Sequence, residues 1–300
     1  MDIYYKYTRY FGIESLKDFS LRISLPLTLN DPFEGVLNSD VEDMICEKIS
    51  KQNTVFSNLA SLMPHDAVSK IIRGNINLLP KLVGVISLSE TPRNLTMWAH
   101  YANEHNGLCI GLKNDFINKS ITRNDFSDNV TIKTPLKVNY DSIRPQSNED
   151  ITDIQKEASD QTLKHLITKS KDWIHEQEHR CIISPEQADM VKVLSDKIDM
   201  SLFKHLQELN KLTSKDSYTY EGSGFTSLYA NYHNEKDVAF LKRINTSSIA
   251  SIYIGCRLPN ADKLELINEV KNPDSKLHHV KLYECTPSKN RYELDIKRIQ

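Results

Sequence analysis

Four short apolar, β-branched runs limit this chain's choice of fold more than any other feature: residues 83–88, 108–112, 180–184 and 249–255. At five to seven residues each they are too short for membrane spans or long core helices, and they read as buried strands. Weaker strand patterns lie at 3–7, 21–24, 130–140, 279–283 and 292–296. Helical periodicity falls between them, at 13–19, 95–103, 154–169, 200–212 and 261–270, with two or three helices across 38–79. Asn94 can cap the helix at 95–103. Residues 145–153 read as loop, and 213–235 as loop with a short helix. A regular strand–helix–strand alternation would build a doubly wound parallel sheet. The irregular interleaving here points to an α+β fold instead: a mixed, mostly antiparallel central sheet of short strands, flanking helices, and a helical insertion at about 38–79. No repeat and no Pro/Gly/Ser linker divides the chain, so a single domain over 1–300 is expected, with 145–153 its weakest point.

Composition narrows the class further. The chain is 39% hydrophobic and 26% charged, enough apolar residue for a sizeable core. Its net charge of −2 supplies no overall basic field for non-specific nucleic-acid binding. The start, Met1-Asp2-Ile3-Tyr4-Tyr5-Lys6-Tyr7, has no secretory pattern, and no apolar run approaches membrane-span length, so a cytoplasmic location without membrane contact is expected. Cys46, Cys109, Cys181, Cys256 and Cys285 are odd in number and spread out, which argues against a disulfide framework or a cysteine zinc site.

Several segments carry groups fit for chemistry. Residues 91–107 join two strands and hold Trp98, His100, Tyr101, Glu104 and His105; on a helix, His100 and Glu104 would share one face. Packing of Trp98 explains the same pattern without any chemistry. Residues 171–180 contain H-E-x-x-H at His175-Glu176-Gln177-Glu178-His179, the zincin string, which needs both histidines on one helix face. The strand pattern that begins at Arg180 leaves no room for that helix. Read as E-x-E, Glu176 and Glu178 would share a face by extended alternation and could stabilise positive charge on a sugar. Ser87 and Ser89 would share a face at the end of the 83–88 strand. Tyr5 and Tyr7 on the first strand could stack on a flat ring, or could simply form the cross-strand pairs of an edge strand. Arg9 and Arg22 follow on this and the next strand. Asn30-Asp31-Pro32-Phe33-Glu34 is a capped turn that could bring Asp31 or Glu34 to a cleft mouth. Dinucleotide-fold, Walker, nucleophile-elbow and calcium-loop motifs are all absent from the sequence.

Taken in order, Tyr5-Lys6-Tyr7, PLTLNDPFE at 26–34, Ser87-Leu88-Ser89-Glu90, Met97-Trp98-Ala99-His100-Tyr101-Ala102, His105-Asn106-Gly107-Leu108-Cys109-Ile110-Gly111, Lys171-Asp172-Trp173, Glu176-Gln177-Glu178-His179-Arg180 and Ile252-Tyr253-Ile254-Gly255 resemble the bacterial family called domain of unknown function 2971, over residues 3 to about 285. In that family's pattern the positions of Glu176, Glu178 and Arg180 are fixed, whereas those of His175 and His179 are not, which counts against the zinc reading. The order of an early basic or aromatic strand, S-x-S, then E-x-E is in turn similar to the arginine–serine–glutamate class of ADP-ribosyltransferases. That similarity implies NAD as substrate and no metal, with Glu178 as catalytic glutamate and Glu176 as its helper. Ser87 and Ser89 would be the middle motif, and Arg9 or Arg22 would hold phosphate. S-L-S departs from the usual S-T-S, and neither arginine stands in a clear motif.

The candidate site is thus Glu178, Glu176 and His100 for catalysis, with Tyr5, Tyr7, Arg9, Arg22, Ser87, Ser89, Trp98, Tyr101 and Arg180 for the cofactor. The implied activity is an NAD-dependent ADP-ribosyltransferase or NAD glycohydrolase, a bacterial toxin or phage-defence effector acting on a protein or nucleic-acid acceptor, with a partner protein from the same operon. A non-catalytic sensor and a metal-dependent hydrolase are the alternatives.

Overall fold

The computed structural model describes residues 2–52, 64–76, 83–121, 131–146, 154–193, 204, 211–214, 219–222 and 237–300. Its strands are β1 (Ile3–Thr8), β2 (Ser20–Ile23), β3 (Gly84–Ser89), β4 (Leu108–Lys113), β5 (Ile132–Lys137), β6 (Asn139–Asp141), β7 (Thr168–Ser170), β8 (Glu178–Ile183), β9 (Met190–Val193), β10 (Lys211–Ser214), β11 (Thr219–Glu221), β12 (Val238–Arg243), β13 (Ile249–Ile254), β14 (Lys281–Pro287) and β15 (Leu294–Arg298). Eight form one sheet, ordered β15-β14-β13-β4-β1-β3-β8-β5, and five form a second, ordered β10-β11-β9-β12-β2. Within both sheets every described pair is antiparallel except β13–β14. The fold is therefore α+β with a mixed, mostly antiparallel sheet of short strands.

Period-two alternation divides the faces of β3. Ile86 and Leu88 enter a buried cluster with Leu21, Ile23, Val191 and Phe240 from the smaller sheet, while Ser87 and Ser89 turn to the opposite face. Each such aliphatic side chain contributes about 1.5–3 kcal/mol by leaving water. The sheets also touch through backbone. Ser24, just past β2, exchanges two hydrogen bonds of 2.8 Å with Val85. By contrast β1 registers with β3 only at Tyr5 and Ser89. The strand β3 thus changes neighbour along its length, from β1 at one end to the β2 chain at the other. A gap opens over Ser87 between them.

Helices Ser39–Gln52 and His65–Ile76 pack on one another and, through Ala158, on helix Ile154–Leu166, burying Val41, Ile45, Val68 and Ile72. The described parts of 38–79 are mainly helical, as the periodicity suggests. Among the described residues no helix is long and apolar enough to cross a membrane.

Several boundaries differ from the sequence pattern, for physical reasons. The helix at 95–103 ends at Tyr101, because Asn103, Glu104 and His105 adopt φ of 49°, 54° and 70°. His100 and Glu104 therefore do not share a helix face. The helix at 154–169 ends at Leu166, because Thr168–Ser170 pairs with Asn139–Asp141. This pairing also splits the 130–140 strand into β5 and β6. The first strand is not an edge: β1 lies between β4 and β3. Residues 211–212, read as helical, belong to β10, which pairs with β11; Lys204 is helical, and the rest of 200–210 lies outside the described residues. In 213–235, residues 219–221 form a strand, and most of the remainder lies outside the described residues, as do 147–153.

Candidate functional site

The gap over Ser87 is a cleft of about 400 Å³, within the range of small-molecule sites. Its walls come from β1 (Tyr5, Lys6, Arg9 just beyond), β2 (Arg22), β3 (Ser87, Ser89), the helix Leu95–Tyr101 (Tyr101) and the segment around Glu176 and Glu178. Lys6 spans the gap, its ammonium donating to the Ser87 carbonyl at 2.9 Å.

Glu176 and Glu178 converge here, though not by extended alternation. Glu176 ends a 3₁₀ turn (Lys171–Glu176), Gln177 takes the left-handed conformation at φ 46°, and Glu178 opens β8. The bend lets both carboxylates reach one ammonium. Lys169 Nζ lies 2.6 Å from Glu176 Oε2, 3.3 Å from Glu178 Oε2 and 3.6 Å from Glu34 Oε1. Arg180, fully buried, forks onto Glu178 at 2.8 and 2.9 Å. It also donates to Glu34 at 2.9 Å and to the Leu166 carbonyl at 2.5 Å. The Tyr101 hydroxyl donates to Glu176 Oε1 at 2.5 Å, and Ser89 Oγ donates to the Glu176 carbonyl at 2.9 Å. Three carboxylates thus share two cations away from water, the arrangement that buried charge requires.

The electrostatics follow from this wiring. Burial alone would raise the Glu178 carboxyl, but Arg180, Lys169 and the Ser87 hydroxyl hold it at about 2. Burial pushes Glu34 up against the pull of Arg180 and Lys169. Burial lowers Lys6, opposed by Glu178 and assisted by Arg22. Burial and Glu176 push the Tyr101 phenol well up, so it stays a donor. At neutral pH Glu178 is therefore a fixed anion, with Arg180 on both of its oxygens and Lys169 beside one.

Of the residues singled out in the sequence, Tyr5, Tyr7, Arg9, Arg22, Ser87, Ser89, Tyr101, Glu176 and Glu178 line the cleft. Arg180 stands behind it as the clamp on Glu178. Tyr7 is largely a core residue, with its hydroxyl donating to the Thr91 carbonyl at 2.7 Å. Trp98 is fully buried, edge-on to Tyr7, and donates to the Pro92 carbonyl at 2.8 Å; it packs and does not line the cleft. His100 is exposed, beside Tyr101, and is not among the lining residues. The H-E-x-x-H histidines sit on different elements, His175 on the 3₁₀ turn and His179 in β8 against Tyr4. Among the described residues no group of three or more His, Cys, Asp or Glu could hold a metal ion.

Lys169 and Lys6 are site residues that the sequence pattern did not single out; of Asp31 and Glu34, either of which the turn could have brought to a cleft mouth, both are buried and Glu34 pairs with Arg180. The usable signal was charge balance: an E-x-E drawn into a core demands cations from elsewhere.

A family model described as Protein of unknown function (DUF2971) matches residues 97–181, the stretch from the Tyr101 helix into β8 that contains Lys169, Glu176, Glu178 and Arg180. No curated protein and no solved structure matches the chain.

Proposed function

We propose that the cleft binds NAD and breaks its nicotinamide–ribose bond, passing ADP-ribose to a protein, a nucleic acid or water. The observation that carries this reading is the meeting of Ser87 with Glu178, the latter held as an anion at about 2, beside Glu176. Breakage of that bond leaves the electron pair on nicotinamide and builds oxocarbenium character at the ribose carbon. A preorganised carboxylate in a water-poor site stabilises such charge. Lys6, close enough to feel both Glu178 and Arg22, supplies with Arg9 and Arg22 the positive charge that a diphosphate needs, and Tyr5 and Tyr101 offer aromatic faces. In this scheme Glu178 is the catalytic residue, Glu176 orients a ribose hydroxyl, and Arg180 and Lys169 are positioning residues.

The test is NAD consumption by purified protein, with and without cell extract, comparing wild type with Glu178→Gln. Wild-type turnover that falls at least about a hundredfold in the variant is expected. No NAD loss under any condition, together with no shift of the melting temperature by NAD, would replace this reading with that of a non-catalytic binding module.

A further inference from the structure

A second cavity, about 590 Å³, adjoins the cleft and runs between the two sheets. Lys6, Thr8, Arg9, Phe11 and Arg22 line both, so a band of three cations and one aromatic ring lies where they meet. Beyond that band the walls turn apolar, with Leu16, Phe19, Leu21, Leu108, Ile110 and Leu241. Lys192 adds a fourth cation, and no carboxylate is among the described residues that line this chamber. The cleft differs in that Glu176 and Glu178 line it.

This division of chemistry describes a ligand in three parts. The carboxylate end suits hydroxyls and developing positive charge. The cationic band suits anionic oxygens: the Lys6 ammonium uses one of its three donors on the Ser87 carbonyl and is held close to the band. The apolar chamber suits a flat, uncharged ring system, with Phe11, 70% exposed at the junction, as a stacking face. Resting on the reading of the cleft given above, we infer that the inter-sheet chamber is a subsite for the purine base, so that the substrate is a whole dinucleotide lying astride Lys6, Arg9 and Arg22. A mononucleotide fills only one side of the band.

The experiment separates the two sides. Binding of ADP and of nicotinamide mononucleotide is measured by calorimetry on wild type and on Ala239→Leu and Ser20→Phe, which add volume to the chamber wall. Both residues line the chamber and neither lines the cleft. ADP binding is expected to weaken at least tenfold in either variant, with nicotinamide mononucleotide within twofold of wild type. Circular dichroism reports whether each variant folds. Photolabelling of wild type by 8-azido-ADP needs no variant, and it should mark peptides from β2, β4 or β12. Failure of ADP to bind wild type, unchanged ADP affinity in a folded variant, or labelling confined to other peptides would overturn the inference. Absence of NAD turnover with these ADP results intact would remove the glycosyl-transfer reading and leave the chamber assignment standing. NAD turnover with unchanged KM in the chamber variants would keep that reading and overturn the chamber.

Discussion

Replacing Lys169 with methionine should cost this protein about 3–5 kcal/mol, the usual penalty for stranding buried charge. Methionine keeps most of the aliphatic stem, so the change removes the ammonium and little packing. That ammonium lies 2.6 Å from Glu176, 3.3 Å from Glu178 and 3.6 Å from Glu34, all with side chains no more than 5% exposed. Arg180 continues to hold Glu178 and Glu34. Among the described residues the Tyr101 hydroxyl is then the one side-chain donor left to the Glu176 carboxylate, so its charge becomes the principal uncompensated one. Loss of the ammonium above the Trp173 ring, at 4.5 Å, adds about 0.5–1 kcal/mol. Urea unfolding followed by circular dichroism at pH 7 measures the loss. The double variant Lys169→Met/Glu176→Gln removes the stranded charge and should recover at least half of it. A single-variant loss below about 1 kcal/mol, the scale of exposed pairs, would refute the reasoning. So would a double variant no more stable than the single one.

Acid stability should report the Glu178 clamp. Its folded value of about 2 lies below the ordinary 4.5, so its contribution is complete above pH 4.5 and is lost as pH falls toward 2. Glu34, pushed up by burial, works in the opposite sense and gains its proton first. Denaturation midpoints across this window should fall for wild type and flatten in Glu178→Gln. Tyr101→Phe removes the 2.5 Å donor to Glu176 and should reduce NAD turnover about tenfold or more, while the melting temperature moves by only a few degrees. Gly255→Ala drives a Cβ into the His105 carbonyl, and Gly107→Ala drives one into the Thr8 carbonyl. Each should lose at least about 1–3 kcal/mol, read by chemical denaturation. His100→Ala, at an exposed position, should change stability by less than about 0.5 kcal/mol and leave NAD affinity unaltered.

Local pattern accounts for much of the fold. The β-branched runs became β3, β4, β8 and β13, and the alternation of Ile86 and Leu88 with Ser87 and Ser89 told which side chains face the core and which face away. Asn94 caps its helix, accepting from Met97 N at 3.2 Å. These features depend on neighbours a few residues apart, and a chain carries that information in order. Of the residues that the sequence singled out, Ser87, Ser89, Glu176, Glu178 and Tyr101 line one cleft.

The remainder depended on partners far along the chain. Lys169 continues a helical pattern that begins at Ile154, and only pairing with Asn139–Asp141 turns it into a strand residue aimed at the carboxylates. Glu176 and Glu178 meet through a left-handed Gln177, a backbone choice no alternation rule foretells. The cleft exists because β3 exchanges β1 for the β2 chain as its neighbour, and Lys6 crosses the resulting gap to Ser87, 81 positions away. Apolar periodicity decides which face of a strand is buried. Which strands lie side by side, and therefore which buried charges must neutralise one another, is decided only when the sheets assemble.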